Sequence, residues 1–156
     1  ALMSDRDTCA WNNGADPLVD DTARGFFCDE GTDVMKYIRL NNLNLVGTIP
    51  WELSLLSNLA RLIMQANSLS GTLPTELSKL SILETFWLSA NKLLTGPLPP
   101  TLPASVRSVD LSSNSFTGTI PTNWGESRSN LFYLYLEDNK LSGTIPTEIG
   151  EWTHLK

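Results

Sequence analysis

The 156-residue sequence predicts an α/β-type solenoid, in which short strands from successive repeats stack side by side into one parallel sheet. One observation is a Gly-x-x-Pro phrase that recurs with spacings of 24, 25, 22 and 25 residues, at Gly47, Gly71, Gly96, Gly118 and Gly143. The other is a run of apolar residues upstream of each phrase, in the pattern Leu-x-x-Leu-x-Leu-x-x-Asn-x-Leu or a close variant. A unit this short cannot bury its apolar side alone, so neighbouring units must stack to form the core.

Five units follow from this pattern, and they begin at Met35, Leu59, Leu83, Val106 and Leu131. Apolar residues are expected at positions 1, 4, 6, 11, 15, 19 and 22 of each unit, and all but two of these places are apolar. Trp124 and Trp152 fall on such core positions. The third unit is irregular, and Leu94 is interpreted as its one-residue insertion.

Position 9 of the last four units is asparagine, and these residues are Asn67, Asn91, Asn114 and Asn139. An inward amide both donates and accepts hydrogen bonds, so it can satisfy backbone groups in the turn that leaves the strand. We therefore predict a structural asparagine ladder. The first unit has Leu43 at this position and lacks that rung.

Composition excludes several classes of function. The net charge of −6 argues against a nucleic-acid binder. No apolar run is long enough to span a membrane. Two cysteines and one histidine cannot form a common zinc site, and they exclude most catalytic groups that rely on His or Cys. We expect no enzymatic activity, no metal and no cofactor.

The consensus with Ser/Thr-Gly-x-Ile/Leu-Pro, as in Leu69–Pro74 and Leu141–Pro146, resembles the plant-specific class of leucine-rich repeats. The resemblance covers residues 34–156. It implies a right-handed superhelix with a concave parallel sheet and 3₁₀ turns on the convex side.

Residues 1–33 carry the whole excess of acidic charge and resemble the N-terminal capping domain of that family. The resemblance rests on Cys9-Ala10-Trp11 and on Gly25-Phe26-Phe27-Cys28-Asp29. It implies a disulfide between Cys9 and Cys28, with two free buried thiols as the alternative. Trp11, Phe26 and Phe27 are expected to cover the first coil. A disulfide points to an oxidising compartment, hence to a secreted or cell-surface protein.

The sequence stops where a sixth unit begins, at Leu155, and shows no C-terminal cap. We expect the chain to be a fragment of a longer protein. The sequence leaves open whether that protein has a membrane span, and it does not fix the oligomeric state.

Side chains that alternate outward along the strands form the predicted concave face. There Trp87 and Tyr135 are expected to flank Asp110 beside small residues, which gives a shallow trough typical of binding hot spots. Glu84 and Arg107 are expected to be lateral neighbours that can pair. The alternative is a solvated strand face without a ligand. The candidate ligand-contact residues are Arg39, Trp87, Asp110, Tyr133 and Tyr135.

The leading hypothesis is an extracellular recognition module that binds a protein or peptide, such as a co-receptor, and belongs to a receptor-like or adhesion protein. Repeats of this class are found in receptor-kinase ectodomains, in small co-receptors and in secreted inhibitors of cell-wall-degrading enzymes. The alternatives are such an inhibitor and a structural matrix spacer.

Overall fold

The computed structural model describes residues 23–28, 34–126 and 131–156, and within them only the backbone of Gly125, Glu126 and Glu151. The described residues form two sheets that run the length of the molecule. The first has six strands in the order β1-β2-β4-β6-β8-β10 and the second has five in the order β11-β9-β7-β5-β3. The strands are β1 (Gly25–Cys28), β2 (Met35–Arg39), β3 (Val46–Thr48), β4 (Arg61–Ile63), β5 (Ser68–Gly71), β6 (Thr85–Trp87), β7 (Leu93–Pro97), β8 (Ser108–Asp110), β9 (Ser115–Gly118), β10 (Tyr133–Tyr135) and β11 (Lys140–Leu141).

The six-stranded sheet is parallel from β2 to β10, as the sequence predicts. Its register is that of the repeat: the residue at position 4 of each unit faces the core, and the set is Ile38, Leu62, Phe86, Val109 and Leu134. The residues on either side of them face away from the core. The second sheet, formed after the asparagines, is parallel throughout.

Helical turns follow three of the Gly-x-x-Pro phrases as 3₁₀ helices, at Trp51–Leu55, Thr75–Lys79 and Thr147–Glu151. After the fourth phrase the turn is a short α-helix, α1 (Asn123–Glu126). No helix is present after the third phrase, where the sequence runs Pro100-Thr-Leu-Pro103. A proline beyond the first helical turn lacks the N–H that such a turn requires. The predicted 3₁₀ turns are therefore confirmed in three units. The fourth unit has an α-helix instead, and the third has no helix.

The asparagine ladder has the hydrogen bonds that its amide groups allow. Asn91 is fully buried; its Nδ2 donates to the carbonyls of Met64, Leu88 and Ser89 at 3.0, 2.9 and 3.3 Å. Its Oδ1 accepts the N–H of Leu69 at 3.1 Å. Each asparagine of the ladder therefore accepts a hydrogen bond from a backbone N–H of the preceding unit.

The first unit shows why it needs no asparagine of its own. Asn67 Oδ1 accepts the N–H groups of both Leu43 and Leu45 at 3.0 Å, and Asn67 Nδ2 donates to the carbonyl of Leu40 at 2.7 Å. These three backbone groups of the first turn are therefore satisfied from the second unit.

The interpretation of Leu94 as the inserted residue is wrong. Leu94 has no exposed surface and belongs to the core cluster, whereas Leu93 is 60% exposed. The third unit has Lys92 and Leu93 where the second has Ser68 alone, so the extra residue is accommodated before the core leucine. Leu94 fills the core position of this unit, and Leu93 therefore points to solvent.

The N-terminal segment contributes β1, which pairs antiparallel with β2 and so adds the first strand to the sheet. Phe27 is buried and Phe26 packs against the core, as expected of cover for the first coil. Cys28 lies at the end of β1 and is not a free thiol. Cys9 and Trp11 lie outside the described residues, so the Cys9–Cys28 pairing and the role of Trp11 stay predictions.

Candidate functional site

Two lateral rows of side chains run across the six-stranded sheet on the face opposite the core. One row contains Tyr37, Arg61, Thr85, Ser108 and Tyr133, and the other contains Arg39, Ile63, Trp87, Asp110 and Tyr135. Residues in one row are direct neighbours on adjacent parallel strands, about 4.8 Å apart. The register therefore brings four of the candidate residues into one row and places Tyr133 in the other.

Trp87 lies in the middle of the face and its ring is held in place. Its indole Nε1 donates to Ser108 Oγ on the next strand at 2.8 Å. The side chain is half-buried. Because the N–H already has an acceptor, the group offers a ligand an apolar surface rather than a hydrogen-bond donor.

Asp110 is the centre of a hydrogen-bonded network. Its Oδ2 accepts Gln65 Nε2 at 2.9 Å, and its Oδ1 accepts Ser112 Oγ at 2.7 Å. Gln65 Nε2 also donates to Ser89 Oγ at 2.7 Å. Both carboxylate oxygens therefore already accept protein donors, so Asp110 orders this face and is a weaker ligand contact than its charge alone suggests.

Tyr133 and Tyr135 form the exposed aromatic part of the site. They lie two residues apart on β10 and point to the same face, with ring centroids 6.5 Å apart and ring planes within 6° of parallel. They are 40% and 45% exposed. Large, rigid, partly polar surfaces of this kind dominate the energetics of many protein interfaces.

Arg39 differs from the expectation of an exposed contact residue. It is only 8% exposed and lies beside the buried Ile63. A buried guanidinium has its partners within the protein, so Arg39 shapes the site more than it projects from it. Lys36 and Arg61 are further positive groups at this end, 6.0 and 5.2 Å from the ring centre of Tyr37.

Charge changes sign along the face. Strand β2 carries Lys36 and Arg39, and β4 carries Arg61. At the other end β8 carries Asp110, with Glu137 and Asp138 just beyond β10. Between them, the predicted pair of Glu84 and Arg107 is confirmed at 3.6 Å, with both side chains about half exposed. Such a pair contributes little stability.

Position 7 supplies residues that the sequence analysis missed. A depression of about 310 Å³ is lined by Arg39, Asn41, Ile63, Gln65 and Trp87. Asn41 and Gln65 both occupy position 7. The third and fourth units have the small residues Ser89 and Ser112 at this position, and the predicted trough was based on those small residues. The signal that identifies the two amides is the alignment of one position across all units. At position 8, by contrast, the backbone has positive φ in every unit, as at Ala66 and Ser113.

The other tryptophans that the structure describes fall into two groups. Trp124 and Trp152 are buried, as predicted for core positions. Trp51 begins the first 3₁₀ helix and is half exposed on the side away from the site.

Among the described residues, no group of three His, Cys, Asp or Glu side chains is placed to hold a metal ion. In the same part of the chain, no helix has the length and apolarity needed to cross a membrane.

Comparison with known proteins gives a consistent picture. The family model described as Leucine Rich Repeat matches residues 105–127 and 130–152. A chain of the BIR3–SERK2 complex from Arabidopsis thaliana has 34% identity and a TM-score of 0.73, and the match covers 80% of this chain and 68% of that one. The BIR2 ectodomain from the same plant has 29% identity and a TM-score of 0.74, over 93% of this chain and 78% of that one.

Longer receptors match over a smaller share of their length. The leucine-rich repeat ectodomain of the Arabidopsis thaliana membrane receptor kinase GASSHO1/SCHENGEN3, in complex with CASPARIAN STRIP INTEGRITY FACTOR 2, has 35% identity and a TM-score of 0.72. That match covers 77% of this chain and 14% of the receptor chain. No curated protein sequence matches the chain.

Proposed function

The chain belongs to the leucine-rich repeat family, in its plant-type form, and from this premise we propose that it is an extracellular recognition module that binds a peptide or protein on its concave face. The observation that carries the proposal is the exposed, parallel pair of Tyr133 and Tyr135, with the half-buried Trp87 two strands away in the same row as Tyr135. Exposed aromatic groups of this size are more frequent in interfaces than on the rest of a protein surface. The proposed activity is binding without a chemical step.

The class of partner is supported by what the similar structures contain. One is a complex of two Arabidopsis proteins, BIR3 and SERK2, and another is a receptor kinase ectodomain bound to CASPARIAN STRIP INTEGRITY FACTOR 2. We propose that this chain likewise takes a protein or peptide partner, such as a co-receptor, as part of a receptor-like or adhesion protein. The opposite charges at the two ends of its face would orient that partner.

We extend the proposal to the architecture that an extracellular module requires. Residues 1–33 would form a capping domain closed by a Cys9–Cys28 disulfide, and residues 34–156 would form five repeats in a right-handed superhelix. The first part is supported by Cys28, which is not a free thiol. Intact mass after alkylation without reductant tests it, because uptake of label on both cysteines would contradict the pairing.

The binding function is tested with matched variants of the purified chain as bait in extracellular fluid of the source tissue. We expect the wild-type chain to retain a partner that mass spectrometry identifies. The double substitution Tyr133→Ala and Tyr135→Ala should weaken its binding by roughly tenfold or more, the range expected of hot-spot aromatic residues.

Trp51→Ala is the control, since it removes a half-exposed aromatic group from the other side of the molecule. Its affinity for the same partner, measured by calorimetry, should equal that of the wild type. Equal affinity of the tyrosine double variant would overturn the assignment of the concave face.

A further inference from the structure

The depression at the N-terminal part of the concave face is chemically different from the tyrosine pair. Its floor contains two buried residues, Arg39 and Ile63, which are direct neighbours on β2 and β4. Trp87 continues the row on β6, and the amides of Asn41 and Gln65 complete the lining. A volume of about 310 Å³ is at the lower end of small-molecule sites, so the depression suits one side chain rather than a large ligand.

Asn41, which lines this depression, carries an unsatisfied polar atom that is enclosed by the protein. Its Oδ1 is buried and has no hydrogen-bond partner. Buried polar atoms in folded proteins nearly always have a partner, and each exception calls for an explanation. The contrast within this chain is direct, because the amide of Asn67 takes part in five hydrogen bonds.

Gln65 presents an acceptor to the same space. Its Nε2 is fixed toward Asp110, because an ionised carboxylate can only accept hydrogen bonds. The amide oxygen Oε1 is therefore the end of Gln65 that can accept a donor from a ligand. The ring of Trp87, held by its bond to Ser108, adds a rigid apolar wall.

These features restrict the group that fits. The buried guanidinium of Arg39 disfavours a cation, and two amide oxygens disfavour an anion. A neutral group with a hydroxyl or carboxamide end can donate to Gln65 Oε1, and to Asn41 Oδ1 once rotation of the Asn41 side chain brings that oxygen to the surface of the depression. Its apolar body can pack on Trp87.

We infer that this depression is the anchor subsite for one side chain of the partner, a neutral residue that ends in a hydroxyl or carboxamide. The inference rests on the proposed function, since it assumes that the concave face binds a peptide or protein. Asn41 then lacks a partner only in the free protein, and the ligand supplies the missing hydrogen bond.

The test uses small probes in matched pairs, followed by NMR at the indole N–H of Trp87, which Trp87→Phe assigns. The side chains of N-acetyl-tyrosine methyl ester and N-acetyl-glutamine methyl ester carry the polar end, and those of N-acetyl-phenylalanine methyl ester and N-acetyl-leucine methyl ester lack it. We expect the polar probes to bind roughly tenfold more tightly than their controls, because a site with buried polar groups rejects a ligand that leaves them unpaired. Asn41→Leu should abolish the difference.

Asn41→Leu should also raise the melting temperature by about 2–4 °C, because it removes a buried atom without a partner. Asn58→Leu, at an exposed position outside the depression, is the matched control and should change neither quantity. A variant that gains stability and loses probe binding is the signature of a binding residue and not of a structural one.

Three results would overturn the inference. The apolar probes could bind as well as the polar ones, or Asn41→Leu could lower the melting temperature. Cellobiose, a neutral sugar tested as a carbohydrate probe, could bind where the amino-acid probes do not. If all probes fail while a partner still depends on Tyr133 and Tyr135, the subsite is wrong and the proposed function stands. If the polar probes bind but no partner depends on the tyrosines, the proposed function is wrong.

Discussion

Replacing Asn91 with leucine tests how much the asparagine ladder stabilises the fold. The two side chains have similar shapes, so the change removes the polar atoms and leaves little cavity. Asn91 is fully buried, and its amide orientation is fixed because its three Nδ2 partners are carbonyl groups.

The effect follows from counting which partners are left without a bond. Each carbonyl that loses Asn91 keeps another donor: Met64 O has Asn67 Nδ2, Leu88 O has Asn114 Nδ2, and Ser89 O has the N–H of Ala66. The N–H of Leu69 loses its acceptor. One unsatisfied buried donor costs about 1–3 kcal/mol, and loss of the shared bonds adds about 1 kcal/mol. We expect Asn91→Leu to lower the free energy of unfolding by about 2–4 kcal/mol.

Urea unfolding followed by tryptophan fluorescence measures this change. With a slope of about 2 kcal/mol per molar urea, the midpoint should fall by about 1–2 M while the slope stays the same. Asn58→Leu, at an exposed position, should stay within about 0.5 kcal/mol of the wild type. A loss below about 0.5 kcal/mol for Asn91→Leu would refute a stabilising ladder, and one above about 5 kcal/mol would refute the sharing of carbonyls.

Five further substitutions test packing and hydrogen bonding by the same urea assay. Leu94→Ala should cost about 2–5 kcal/mol and Leu93→Ala less than about 0.5 kcal/mol, and equal losses would contradict the assignment of the core leucine. Gly96→Ala should lower the free energy of unfolding by about 2 kcal/mol, because φ is +84° and the new Cβ would lie 2.7 Å from Thr72 Cγ2. Adding Thr72→Ser, which removes Cγ2, should recover part of this stability. If it recovers none, the contact with Thr72 is not a cause of the loss. Trp124→Phe removes a buried indole N–H that donates to a carbonyl at 2.8 Å, so about 1–2 kcal/mol should be lost, and an unchanged midpoint would show that this bond adds nothing.

The repeat pattern was sufficient to predict the main sheet residue by residue. The spacing of apolar positions places Ile38, Leu62 and Phe86 in register, and the structure pairs them so. The reason is that a strand has a side-chain period of two, so a shift of one residue would turn the core face to solvent. Any sequence with so regular an apolar pattern specifies its own register.

The irregular places were harder to predict, because there tertiary packing decides. Two adjacent leucines, Leu93 and Leu94, are equivalent in the sequence, and only the geometry of the turn selects which one is buried. Arg39 follows the strand alternation outward, yet it is buried, since alternation gives the direction of a side chain and not what lies over it. The subsite at Asn41 and Gln65 depends on which hydrogen bonds remain unmade, and that requires coordinates.

The backward reach of the asparagines has a consequence for how such arrays evolve. Each of the last four units carries the asparagine that completes its upstream neighbour, as Asn91 does for Leu69 and Asn139 does for Phe116. A duplicated unit therefore arrives with the amide that the unit before it needs, and it finds its own acceptor in the unit after it. Recombination between repeats can lengthen or shorten the array by whole units without leaving a backbone group unpaired at the junction, which makes the solenoid tolerant of changes in copy number.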